Sequence, residues 1–302
     1  MIHIRVPATS ANMGSGFDSI GIALQLYNNL WIEELDKRGV EIEIRKKQAI
    51  SIPADKTNLI YRTMVDFYAE IGKIMPGVKI IQEDNIPVTR GLGSSAACIV
   101  AGLIAANHLS GCNYSKNELA QMAAKIEGHP DNTNPALFGG MVVGAIDLSD
   151  GMKFVKLDLP KNLKFAIMVP DFPISTEASR EVLPEMVSRQ DAIFNSSRAA
   201  LLVASVITEN INNLGMAMDD RLHQPYRKQL IPEMNRIFKA SKGYGALGAY
   251  LSGAGSTLMA VLSEENENEF KEKMSAYLES MPHEWNLTLL KPDSDGATLV
   301  SK

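Results

Sequence analysis

A chain of 302 residues is long for one hydrophobic core and suits two fused domains, and its 45% hydrophobic and 22% charged content is that of a globular protein. A formal net charge of −5 leaves no basic footprint, so nucleic acid and anionic membrane are poor partners, and any bound polyanion must be met by local backbone and a few placed cations. The start, MIHIRVPATSAN, lacks the basic and apolar regions of a signal peptide, and no apolar run reaches the length of a membrane span, so a cytoplasmic protein is expected.

Alternation of apolar and polar residues predicts strands over 2–6 and 40–44. Between them, PATSANMGSGFDSIGIAL (7–24) has too much Gly, Ser and Asn for a strand throughout and too little periodicity for a helix, so it reads as a loop with chemistry in it. Gly14 and Gly16 begin a dinucleotide-like pattern, but the next glycine, Gly21, stands two residues too far for GxGxxG, and a Rossmann fingerprint is set aside. Ile60, Met64, Phe67 and Ile71 predict a helix over 57–71, and 78–81 is a short strand leading to PVTRGLGSSAA, residues 87–97.

That stretch puts almost no side-chain bulk between backbone and ligand, and the apolar run behind it to Leu109 reads as a helix. Open N–H groups and a helix N-terminus together make a phosphate cradle. It is not a Walker A loop, because no lysine follows Gly93. A plain Gly/Ser turn before a buried helix uses the same residues, and other segments must decide between the two. Cys98 in this helix and Cys112 after it have no metal-ligand spacing and read as reduced thiols.

Ser115 and Glu118 form a capping box for a helix over 115–126 that buries Leu119, Met122, Ala123 and Ile126. Pro130 is expected to stop it, displaying Glu127, His129, Asp131 and Asn132 on a turn. Strands follow at 141–146 and 164–169; 147–162 is loop-like with room for a short strand, and here an amino-terminal domain (1–160) hands over to a second (161–302). Helical periodicity covers 192–214 and 230–239. Strands at 246–252 and 257–262 are joined by SGAGS, and a Glu/Lys-rich helix precedes a last strand at 285–290. Strand and helix pairs without repeated βα units give the α+β class.

The three loops at 7–24, 87–97 and 252–256 carry more glycine than hairpins need, and with them the chain resembles the GHMP small-molecule kinases. PATSANMGSGFDSIGIAL, IPVTRGLGSSAA and SGAGST look like the three motifs of that superfamily, in order and along nearly the whole chain. Within it, EGHPDNTNPALFGG, TEASREVLP and PYRKQLIP are similar to segments of the homoserine kinases. Ser256 departs from the pattern, standing where a proline is usual. The resemblance implies ATP-dependent transfer of the γ-phosphoryl group to the side-chain hydroxyl of L-homoserine, in threonine biosynthesis and with Mg²⁺. It also implies a two-domain fold, with an amino-terminal domain like ribosomal protein S5 domain 2 and a ferredoxin-like carboxy-terminal one. A homodimer is left open.

The resemblance also distributes roles. Pro87, Gly91, Leu92, Gly93, Ser94, Ser95 and Ala96 are expected at the ATP phosphates, with Ser94 or Ser95 near the metal. Arg90 is either a phosphate cation or a solvated loop charge. Glu127 supplies a hard oxygen for Mg²⁺, and its poor placement against a helix C-terminal dipole favours that role over a plain surface glutamate. Arg180 and Arg227 match carboxylate-binding arginines. Asn12 and Asp18 match the positions holding the amino and hydroxyl groups, with turn chemistry as the alternative. His129, Asp131 and Gly253 are assigned to the acceptor pocket and Thr176 to the neighbourhood of the acceptor hydroxyl. Asn132 stands where relatives such as mevalonate kinase place a general-base aspartate. An amide cannot take a proton at neutral pH, so direct attack by a positioned hydroxyl is expected. A GHMP kinase for another small alcohol, mevalonate or a sugar, and a non-catalytic ligand-binding member are the rival readings.

Overall fold

The computed structural model describes residues 1–46, 50–147 and 151–300. Its first half comprises β1 (Ile2–Ala11), β2 (Ile20–Leu35), β3 (Val40–Ile44), α1 (Leu59–Glu70), β4 (Gly77–Glu83), α2 (Ser94–Ser110), α3 (Lys116–Glu127), α4 (Pro130–Phe138), β5 (Met141–Asp147) and β6 (Gly151–Leu157). There follow β7 (Leu163–Pro170), α5 (Thr176–Glu181), α6 (Arg189–Ile207), α7 (Leu214–Ala217), α8 (Gln224–Arg227), α9 (Met234–Gly243), β8 (Gly248–Leu251), β9 (Leu258–Ser263), α10 (Glu267–Glu279), β10 (Trp285–Leu290) and β11 (Thr298–Leu299).

One sheet runs β11-β1-β2-β4-β3, with β5 also paired to β2 and β6 to β5. The other is antiparallel in the order β10-β7-β9-β8, the βαββαβ arrangement of a ferredoxin-like domain, so the α+β two-domain expectation holds. The last strand returns to the first sheet, Leu299 pairing with Ile4 of β1. Alternation along β7 and β9 explains how the halves join. Phe165, Ile167, Met259 and Val261 point into a core shared with the first sheet, whereas Ala166, Met168, Leu258 and Ala260 face α9 and α10 through Ile237, Phe270 and Met274. Both faces of the second sheet are therefore dry, and the cleft between the domains rests on packed apolar side chains.

Several elements differ from their sequence reading. β1 continues through 7–11, and β2 already begins at Ile20, leaving a true loop of 12–19. The polar residues there did not signal solvent, because Thr9 and Ser10 are fully buried with their hydroxyls bonded to other segments. Pro7 sits at a bulge, where β2 advances from Tyr27 to Leu24 against one step of β1. Pro130 ends no helix; α3 stops at Gly128 in the left-handed region (φ 89°), and Pro130 opens α4 as its first residue, where its missing N–H costs nothing. The helix expected over 192–214 is α6 from Arg189, capped by Ser188 and ended by Ile207. That expected over 230–239 starts at Met234 instead, because Pro232 holds Ile231 extended (φ −133°, ψ 87°). The capping box of α3 is present as expected.

Candidate functional site

The loop after β4 takes Thr89, Gly91 and Gly93 into positive φ, at 54°, 73° and 69°. A Cβ on Gly91 would lie 2.2 Å from the Ser252 carbonyl oxygen, and one on Gly93 1.8 Å from Thr9 Oγ1. Both glycines are thus demanded by the other two glycine-rich stretches, which lean on this one. The three are joined by hydrogen bonds: Thr9 N–H donates to Leu92 O (3.1 Å), Gly253 N–H to Ala11 O (3.2 Å), and Ser252 Oγ to Gly91 O (2.6 Å). Behind them α2 starts on Gly93 with no side-chain cap and no acidic residue in its first turn. The amides of Ser94, Ser95 and Ala96 therefore lack intrahelical acceptors and stand at the positive end of a 17-residue helix. The turn reading and the cradle reading coexist, since α2 is also buried and Gly102 lets it approach the Ile60 carbonyl of α1.

A cavity of about 310 Å³ opens in front of this loop, and every sequence-predicted site residue except Ala96 lines it. Ala96 is fully buried, so what it can offer is its backbone N–H. Arg90 is not a solvated loop charge. It is buried, with Nε donating to Pro170 O at 3.1 Å and Nη2 to Asp171 O at 2.8 Å. Its fork clamps the loop to the end of β7, and the residue still lines the cavity.

Beside the cradle, Ser95 Oγ donates to Glu127 Oε2 at 3.0 Å. Burial pushes the Glu127 carboxyl above its ordinary range, against the lowering effect of that hydroxyl. Two hard oxygens next to the open N-terminal amides of α2 suit Mg²⁺, which takes one or two carboxylates alongside phosphate and water. Among the described residues no cluster of three or more His, Cys, Asp or Glu forms an all-protein metal cage. On the first turn of α4, Asn132 Oδ1 accepts from Thr9 Oγ1 at 2.7 Å, which fixes the amide. His129 Nδ1 donates to the buried Asp131 Oδ1 at 2.9 Å, and that bond is the main reason the imidazole pKa is raised. Gly21 of β2 has to be glycine here, since a Cβ would meet the Asp131 carbonyl oxygen at 1.7 Å.

The opposite wall combines both domains. Asn12 and Asp18 adopt positive φ (76° and 55°) in the first loop. Asn12 Oδ1 accepts from Asp18 N–H at 3.0 Å and its Nδ2 donates to Gly253 O at 3.1 Å, so the turn chemistry offered as an alternative does engage this amide. The Asp18 carboxylate instead receives both terminal nitrogens of Arg180, each at 3.1 Å, from the last turn of α5. Arg227 is 3% exposed; Nε donates to Ser179 O (3.1 Å) and Nη1 to Gly253 O (2.9 Å). Desolvation pulls its pKa down to about 10, which leaves it cationic at neutral pH. Thr176 opens α5 at the cavity's edge, and the unusual Ser256 donates to Phe172 O at 2.6 Å, anchoring the third loop with a hydroxyl.

Sequence reasoning missed the far end of the cavity, where Ile52, Pro53 and Val88 face Asn58, Gln82 and Asp84. Asn58 Oδ1 caps α1, so its Nδ2 donates to Gln82 Oε1 (2.9 Å), which turns Gln82 Nε2 to Asp84 Oδ2 (2.6 Å). Burial raises the Asp84 carboxyl to about 6. The result is an apolar slot with an acceptor-rich edge. Apart from Val88, which lies in the second glycine-rich stretch, the one usable signal for it was Asn58 as an N-cap.

Residues 58–140 match the family described as GHMP kinases N terminal domain, and 199–280 that described as GHMP kinases C terminal. The chain is 44% identical to homoserine kinase from Caldicellulosiruptor saccharolyticus, over 100% of this chain and 97% of the relative. It is 43% identical to that from Clostridium acetobutylicum, over 99% and 100%. A crystal structure of homoserine kinase from Cytophaga hutchinsonii superposes with a TM-score of 0.89 at 28% identity, covering 99% of this chain and 97% of that one. Among the described residues no helix is long and apolar enough to cross a membrane.

Proposed function

Because the chain belongs to the homoserine kinase family of the GHMP kinases, we propose that it transfers the γ-phosphoryl group of ATP to the side-chain hydroxyl of L-homoserine, forming O-phospho-L-homoserine for threonine biosynthesis. One observation carries the reading. A single cavity has an open helix N-terminus on one wall and, on the other, a carboxylate and two arginines that match the charges of an amino-acid zwitterion. A coupled ADP-release assay across homoserine, serine, threonine, mevalonate and galactose tests it. ADP release with another alcohol but none with homoserine refutes it.

In this reading the apolar slot takes the base, and the loop Gly91–Ser95 with the first amides of α2 holds the phosphates. Ser95 and Glu127 are the residues that would hold Mg²⁺, whose chemistry is to neutralise charge on the phosphoryl oxygens. Arg227 and Arg180 bind the acceptor carboxylate, Asp18 its ammonium, and Thr176 and Asn12 border its hydroxyl. Among the described residues no free general base is placed for it: Asn132 cannot take a proton, and the Asp131 carboxylate is engaged as hydrogen-bond acceptor by His129. Catalysis then rests on positioning the hydroxyl and on pre-oriented donors around the transferring group.

The division into a nucleotide-holding part (1–160) and an acceptor-reading part (161–302) belongs to the same proposal, with β11 returning to the first sheet. So do a cytoplasmic location and a homodimer, the latter checked by analytical ultracentrifugation.

A further inference from the structure

His223 belongs to no glycine motif and was not among the expected site residues, yet it is completely buried directly behind Arg227. It precedes the single turn of α8, four residues before Arg227, and the Asp220 carboxylate fixes its backbone by accepting its N–H at 2.9 Å and that of Gln224 at 2.7 Å. The ring stacks on Phe17 of the first loop, centroids 5.0 Å apart and planes 18° from parallel. Its nitrogens have unambiguous tasks. Nε2 lies 2.9 Å from the Gly14 carbonyl oxygen, which can only accept, and Nδ1 lies 3.2 Å from Arg227 Nη1, which can only donate. The imidazole is thereby fixed as the neutral tautomer with hydrogen on Nε2.

We propose that His223 is a positioning residue for acceptor binding: it relays the first loop to Arg227, with the Gly14 carbonyl setting the tautomer and Nδ1 setting the plane of the guanidinium. The proposal rests on the reading of Arg227 as a ligand of the acceptor carboxylate. With Nε on Ser179 O and Nη1 shared between Gly253 O and His223, three contacts hold the group. Nη2 has no hydrogen-bond partner among the described residues, and Arg227 lines the cavity. A planar fork meets a carboxylate only at the right tilt, so an acceptor behind it determines affinity without touching the substrate.

The test compares His223→Leu, which removes both nitrogens, with His223→Asn, whose Oδ1 falls where Nδ1 stood. Steady-state kinetics and calorimetry are read for both ligands, and the wild-type tautomer by ¹⁵N NMR of the imidazole. The leucine variant is expected to raise the homoserine KM and Kd about tenfold and leave the ATP constants unchanged, and asparagine to recover most of that loss. Asparagine as damaging as leucine, both ligands weakened together, or a wild-type ring protonated on Nδ1 would each overturn the role. The NMR reading decides the matter even if the leucine variant does not fold. Loss of homoserine affinity in Arg227→Lys but not in His223→Leu overturns His223 alone, whereas a wild type without homoserine turnover overturns the reading beneath it.

Discussion

The two ends of the cavity are made of different material. The end proposed for the phosphates is main chain: amides of Gly91–Ala96 and two glycines pressed by Ser252 and Thr9, with the Arg90 side chain turned to β7. The acceptor end is charged side chains from separate segments, Asp18, Arg180 and Arg227, linked through side-chain hydrogen bonds and the Gly253 carbonyl. Backbone contacts at a required glycine tolerate no added carbon, so the first end should fail abruptly. Charged side chains can be shortened, neutralised or exchanged, so the second should fail by degrees.

The largest effect is therefore expected from Gly91→Ala. Its φ of 73° costs an L side chain about 1–2 kcal/mol, and the new methyl would lie 2.2 Å from a carbonyl oxygen that the third loop cannot withdraw cheaply. ATP-dependent turnover should fall by more than roughly a hundredfold, with a lower Tm in the same preparation. An alanine variant with normal ATP affinity would show that this end is not built from backbone.

Glu127→Gln comes next, with kcat down on the order of a hundredfold. Stability should move the other way. Burial raises the Glu127 pKa in the folded state, so its ionised form loses stability for the protein as pH rises from the unfolded value through the folded one. Glutamine has no such loss, and at neutral pH the variant's Tm should be equal or higher. A drop in Tm matching the drop in activity would make Glu127 a structural residue.

The same contrast governs what the sequence disclosed. A backbone cradle leaves a pattern of glycines and small residues, and all three such stretches were visible and do converge. Elements whose polar residues are satisfied inside the fold were misread. Thr9 and Ser10 looked like loop because a single chain does not reveal that their hydroxyls find Asn132 and Ser252. Pro130 stops a helix or starts one by the same chemistry, and only the Gly128 turn before it decides. His223, Gln82 and Asp84 left no local signal, because the partners are Gly14 and Arg227 for the first, a helix cap at Asn58 for the second, and Asn28 together with Gln82 for the third. The arginines were found through the resemblance rather than by periodicity, and Arg90 shows the limit of that route: the motif located the residue but not the direction of its fork.

At the acceptor end Arg227→Lys keeps the charge but not the planar pair of donors. Homoserine affinity is expected to fall about ten- to a hundredfold with ATP binding unchanged, as read by calorimetry of both ligands. Weakened ATP instead would move Arg227 to the phosphate end.

The mildest and most discriminating change is Asp18→Asn. The Asp18–Arg180 pair is more than a third exposed on both sides, so losing it should alter stability by no more than about 1 kcal/mol. Its effect lies in selectivity. To place its carboxylate on Arg180, an acceptor must separate that guanidinium from Asp18, and a zwitterion replaces the broken contact with its own ammonium. 4-Hydroxybutanoate, which is homoserine without the amine, brings nothing for Asp18 and leaves a carboxylate facing a carboxylate. Neutralising Asp18 should thus weaken homoserine by about tenfold while removing the penalty on 4-hydroxybutanoate, so the ratio of the two dissociation constants narrows by tenfold or more. If the ratio is unchanged while both ligands weaken together, Asp18 supports the loop and Arg180 but does not read the amine, and the acceptor end is selective for carboxylate alone.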